Sequence, residues 1–100
     1  MTISDIKMLK EEIYKLSVFN EFSNDFLINI SNLNIVPLSD FKLSLIKKNE
    51  DKDIITQLIE EVEDDIGTIM NIDCKRNFNI AIQFLENCVD NLEFIEFHLP

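Results

Sequence analysis

A chain of 100 residues with one glycine, Gly67, and two prolines, Pro37 and Pro100, has little material for tight turns. Glycine supplies the positive φ that many turns need, and proline supplies a preset φ. A many-stranded sandwich or barrel needs a turn roughly every 8–12 residues. Long elements with few connections are left, which favours helices. Apolar residues make up 46% of the chain, enough for a packed core and too many for a disordered segment. The length fits one domain spanning residues 1–100.

The apolar residues keep helical time. Ile6, Leu9, Ile13 and Leu16 recur at 3, 4, 3, with Thr2 or Ser4 as a cap. Lys7, Lys10, Glu11 and Lys15 fall outside that stripe, and Glu11 and Lys15 form a favourable i,i+4 pair. Phe22, Phe26, Ile30 and Leu33 predict a second helix over about 21–33, capped by Asn20, with Pro37 ending it or opening the next element. Residues 38–48 read two ways. Leu38, Phe41 and Leu45 suit a helix capped by Ser39, whereas Phe41, Leu43 and Leu45 alternate as a strand would. Asn49 to Lys52 is a polar break. Ile55, Leu58, Ile59, Val62, Ile66 and Ile69 then predict a long helix over about 51–70, with Asp51 and Asp53 at its positive end. Gly67 suggests either a C-terminal cap or a close helix contact. Phe78, Ile82, Leu85, Val89 and Leu92 predict a last helix over about 73–92. The apolar tail to Leu99 should pack on the body, as more helix or as a strand. The expected fold is mainly α, a compact bundle of four to five helices. The alternative is a small α+β fold pairing strands near 41–46 and 93–98.

The charge is uneven. The first fifty residues hold six lysines against seven acids, a net −1, and the second fifty hold three bases against twelve acids, a net −9. Such a chain repels nucleic acid and anionic membranes, so a partner chosen by charge is a basic protein. No apolar run exceeds three residues, against about 20 for a membrane span. The polar N-terminus lacks the pattern of a signal peptide, which implies the cytoplasm, where Cys74 and Cys88 would be reduced. Within one straight helix those two would lie about 20 Å apart, too far to bond. Abundant Ile and Asn beside a lone Ala81 suggest AT-rich coding, as in bacterial or phage genes.

Catalytic chemistry has little to work with. His98 is the only histidine, so a nucleophile would lack its base, zinc would lack ligands and a di-metal carboxylate site would lack its Glu-x-x-His. One glycine cannot build a phosphate loop. No enzyme, metal or cofactor is expected. The carboxylates are the distinctive set. Asp53, Gln57, Glu60 and Asp64 share one face at 4, 3, 4 spacing, Glu61 and Asp65 thicken it, and Glu86, Asp90 and Glu93 line the last helix. Packing like charges this densely costs a few tenths of a kcal/mol per i,i+4 pair (~0.3), which fold stability does not require. A solvated face that keeps the chain soluble is the plain reading. A docking surface is the sharper one, with Tyr14 beside the core as an interface candidate. The phenylalanines 19, 22, 26, 94 and 97 are read as core.

In size, charge and class, though by no motif, the chain resembles the immunity proteins of colicin-type and contact-dependent inhibition systems. That resemblance implies a stoichiometric inhibitor of a basic toxin nuclease. The alternatives are a phage anti-restriction or anti-CRISPR protein that mimics nucleic acid, and a helical oligomerisation module. The oligomeric state is left open.

Overall fold

Each apolar stripe becomes the inner side of a helix. The computed structural model describes residues 3–47 and 53–98, with side chains from Ser4 to Lys47 and from Ile54 to His98. The polar break at Asn49–Lys52, Asp51, the Asp53 side chain, the cap Thr2, and Leu99 and Pro100 lie outside the described residues. Five helices carry the rest: α1 (Ile3–Ser17), α2 (Asn24–Ser31), α3 (Val36–Lys47), α4 (Asp53–Asn71) and α5 (Phe78–His98). The fold is a mainly α helical bundle.

The α+β alternative is overturned. Residues 41–46 and 93–98 both lie in helices. Leu38 and Leu45 are buried while Leu43 points out, the result of a 3.6-residue period and not of alternation.

The packing order follows from α5. It lies against α1 on one side and α4 on the other, α3 packs on α4, and α2 packs on α1. The body measures 42 × 22 × 19 Å. Neither short direction holds more than two helices of about 10 Å each, so the helices keep sides in solvent. The four residues of the α1 stripe are buried, as are Ile55, Ile59, Val62, Ile66 and Ile69 of α4, while Leu58 is half-buried. In α5 the buried line is Ala81, Leu85, Cys88, Leu92 and Ile95. Of the expected stripe only Leu85 and Leu92 are fully inside, and Phe78, Ile82 and Val89 pack at its edge. A helix wedged between two others buries a wide arc, and its centre falls on the small residues Ala81 and Cys88.

Helix ends differ from expectation for local reasons. Ser4 lies inside α1. α2 is capped by Ser23, not Asn20: Ser23 is extended (φ −153°, ψ 166°) and its hydroxyl accepts the Phe26 N–H at 3.2 Å. Phe22 stays outside α2 and folds its ring toward Phe26, 6.4 Å between centroids. Phe26 itself is fully buried, edge-on to Phe19 at 5.6 Å and to Phe78 at 5.0 Å. Pro37 sits in the first turn of α3, where its missing N–H costs no helical bond. Asn34 Oδ1 accepts the Val36 N–H at 3.1 Å, and Ser39 lies inside α3 instead of capping it. Residues 73–77 form a turn, in which Asp73 Oδ1 accepts the Lys75 N–H at 3.1 Å and Asp73 O the Asn77 N–H at 2.9 Å. That delays α5 to Phe78. Cys74 therefore lies before α5, and both thiols are free and buried.

Gly67 caps nothing and makes no close contact. It lies within α4, and a Cβ built there meets no atom within 4 Å. The tail phenylalanines are not core: Phe97 is 82% exposed and Phe94 40%. Phe97 lies two residues past buried Ile95, a rotation of about 200° that turns it to solvent. Phe94 and His98, one turn apart, stack their rings at 4.0 Å.

Candidate functional site

The acids of α4 divide by neighbour. Glu63 faces α3, where the Ser39 hydroxyl donates to its Oε2 and Lys42 Nζ lies 2.7 Å from Oε1. Burial works to raise the Glu63 pKa, but the hydrogen bonds from Lys42 and Ser39 outweigh it and hold the carboxyl below its usual range. The hydrogen bond to Glu63 chiefly raises the Lys42 pKa. Glu63 thus joins two helices, and its binding capacity is spent inside the fold.

Glu61 and Asp65 border α5. Asn91 Nδ2 donates to Glu61 Oε2 at 2.9 Å. Burial, then the charges of Glu61 and Asp64, push the Asp65 carboxyl up. Burial, then Asp65 and Glu61, push the Cys88 thiol up to about 12, so at neutral pH it is a protonated, inert core residue. Gln57, Glu60 and Asp64 stand exposed on the outer side of α4.

These outer acids lie along one side of an apolar strip. Ile54, Gln57, Leu58, Glu60, Glu61 and Asp64 line one shallow depression of about 290 Å³. Ile54 is exposed although it stands beside buried Ile55, because one helical step of about 100° carries it off the stripe. Sequence reasoning passed over Ile54 and placed Leu58 in the buried stripe, whereas it is only half-buried. The available signal was the doubling of apolar residues at 54–55 and 58–59, which a single buried stripe cannot absorb.

On α5, Glu86, Asp90 and Glu93 are exposed. Glu96 meets α1, with Lys10 Nζ at 2.7 Å and Lys7 Nζ at 3.8 Å, while Asn91 meets α4. The hydrogen bond from Lys10 chiefly lowers the Glu96 pKa. Helical periodicity sets Glu93, Glu86 and Asp90 on the arc between those two contacts, opposite the core. Glu61 and Asp65 flank this arc across the α4–α5 seam, whereas Glu60 and Asp64 turn further round α4. The two acidic stripes meet along that seam and do not form one flat face. Lys7 and Lys10, expected on the outside, are the cations that tie α1 to Glu96. Tyr14 is 56% exposed on α1, on a different helix from every candidate acid.

Among the described residues no group of three or more His, Cys, Asp or Glu is placed to hold a metal ion, and no helix is long and apolar enough to cross a membrane. Comparisons with protein-family models, with curated proteins and with solved structures gave no match.

Proposed function

We propose that this protein is a stoichiometric protein-binding inhibitor, and that its target is a basic, nucleic-acid-directed protein such as a toxin nuclease, in the manner of a bacterial immunity protein. The observation that carries this reading is the apolar strip of Ile54 and Leu58 flanked by Gln57, Glu60, Glu61 and Asp64 in one shallow depression. Interfaces that hold a partner combine a desolvated apolar centre with a polar rim. Carboxylates along such a strip, on a chain of net charge −10, select a cationic partner and speed its arrival. The protein then acts in the cytoplasm by occupying the nuclease's substrate-binding surface, with no chemistry and no cofactor of its own. Glu86, Asp90 and Glu93 extend the attracting field.

The test starts with capture of the tagged protein from its host, washed at low and then high salt, with bound proteins identified by mass spectrometry. One basic partner in near-equal amount is the expected result. Replacing Glu60, Glu61, Asp64 and Asp65 by their amides should then slow association with that partner and flatten its salt dependence, with helicity unchanged. Unaltered binding by the quadruple variant would overturn the reading.

A further inference from the structure

A hollow of about 280 Å³ lies between the C-terminal ends of α1 and α2. Its base is apolar: Leu16 and Leu33 are buried, and Phe19 is half-buried. Its polar lining comes in two pairs. Glu12 and Lys15 stand three residues apart on α1, and Asn29 and Asn32 stand three apart at the end of α2. Residues at that helical spacing are neighbours, with Cβ atoms about 5–6 Å apart.

None of the four is spent inside the fold. Among the described residues, no ion pair or hydrogen bond engages the Glu12 carboxylate, the Lys15 ammonium or the side-chain amides of Asn29 and Asn32. Glu63 with Lys42, and Glu96 with Lys10, are by contrast paired across helices. Opposite charges one turn apart limit what fits the hollow. A simple anion would meet the Glu12 carboxylate, and a simple cation the Lys15 ammonium. A neutral apolar molecule would strip water from both charges and return no hydrogen bond. A ligand with both charges on neighbouring atoms satisfies both.

We propose that this hollow binds a small zwitterion, an α-amino acid with an apolar side chain. The ligand's ammonium donates to Glu12, and its carboxylate accepts from Lys15. The Asn29 and Asn32 amides each offer donors and an acceptor, so they serve the remaining hydrogen bonds of either end. The ligand's side chain lies on Leu16, Leu33 and Phe19. The volume falls just below the roughly 300–1,000 Å³ of ordinary ligand pockets, which suits a single amino acid and not a peptide. Both charges stand in water before binding, so each pair gains little and the expected Kd is on the order of 1 mM. No residue of α4 lines the hollow, so this proposal and the inhibitor reading can fail separately.

Titration of the isotope-labelled full chain with L-leucine, from about 0.1 to 20 mM and followed by two-dimensional NMR, tests it. The expected result is a saturable shift centred on the amide signals of Leu16, Phe19, Asn29, Asn32 and Leu33. N-acetyl-L-leucine lacks the ammonium and L-leucinamide the carboxylate, and each should bind on the order of tenfold more weakly. Glycine, with no side chain to lay on the leucines, should bind more weakly too. Glu12→Gln should weaken L-leucine and lose the discrimination against N-acetyl-L-leucine, and Lys15→Gln should do the same for L-leucinamide. Both residues are exposed, so helical circular dichroism should be unchanged in either variant. No saturable shift up to the highest concentration overturns the proposal, as does a shift centred elsewhere. Equal binding of L-leucine and its two capped forms, or variants that keep the full discrimination, would overturn it as well.

Discussion

Gly67→Ala should make this protein more stable, and the size of the gain follows from the structure. Glycine inside a helix costs about 1 kcal/mol relative to alanine, because the unfolded chain loses more conformational freedom there. Three conditions decide whether the full amount is recovered. The residue must be helical, and Gly67 lies within α4. The new Cβ must not collide, and beyond its own helix backbone and chain neighbours no atom comes within 4 Å of it. The local bonds must survive. The Gly67 carbonyl accepts from Asn71 Nδ2 at 2.7 Å, and a methyl group on Cα leaves that oxygen free. The expected gain is therefore about 0.5–1 kcal/mol, or roughly 3–8 °C in Tm for a domain of this size. Urea unfolding followed by circular dichroism is the assay. The midpoint should rise while the slope with denaturant stays constant, since the surface exposed on unfolding is unchanged. A lower midpoint would refute the reasoning, because it would mean that another helix or a partner copy needs the bare backbone at this position.

Phe26→Ala should cost about 3–5 kcal/mol, because it removes the one ring that joins Phe19, Phe22 and Phe78; urea unfolding would show it as a large fall in midpoint. Asp65→Asn should stabilise the fold at pH 7 by a few tenths of a kcal/mol (~0.3), since it relieves the partial burial of a charge and then the repulsion from Glu61 and Asp64, both muted by solvent. The sign follows from the raised carboxyl: the folded state binds the proton more tightly, so ionised Asp65 opposes folding above the carboxylate range, and the gain should fade as pH drops through that range. Glu63 runs the opposite way. Its lowered carboxyl stabilises the fold above the carboxylate range and loses that effect on acidification, so Glu63→Gln should flatten the acid limb of a stability–pH curve. Cys88 should resist a thiol-reactive dye in the native protein at pH 8 and react once urea unfolds the chain; fast native labelling would contradict its burial.

Much of the architecture was legible in the sequence because periodicity reports it directly. The stripes of α1 and α4 carry one buried face each, and their residues are the ones found inside, Leu58 at the edge excepted. The stripe of α5 was read about half a residue step off, with Leu85 and Leu92 inside but Ala81 and Cys88 not counted, because its neighbours are set by topology, which no local window contains. The ends were least legible. Ser23 and Asn20 have similar capping chemistry, and the choice between them rests on where the Phe22 and Phe26 rings pack. The tail shows a limit of composition: Phe94 and Phe97 have core chemistry, but helical rotation turns Phe97 outward. For the candidate site, the acidic stripes could be read from spacing, whereas the employment of Glu63 by Lys42 and Ser39 depends on α3 docking against α4. The apolar strip at Ile54 and Leu58 needed the orientation of α4 before its exposure could be known.

The pairing of α1 with α5 has a consequence for how the protein is made. Lys10 and Glu96 are 86 residues apart in sequence, and the two helices they tie together share one of the main interfaces. A ribosome adding roughly 5–20 residues per second takes about 4–17 s to supply the second helix after the first. Throughout that interval the inner side of α1, with Ile6, Leu9, Ile13 and Leu16, has emerged without its principal partner. Over that interval the nascent chain is open to proteases and to chaperone capture, until α5 emerges to cover the stripe.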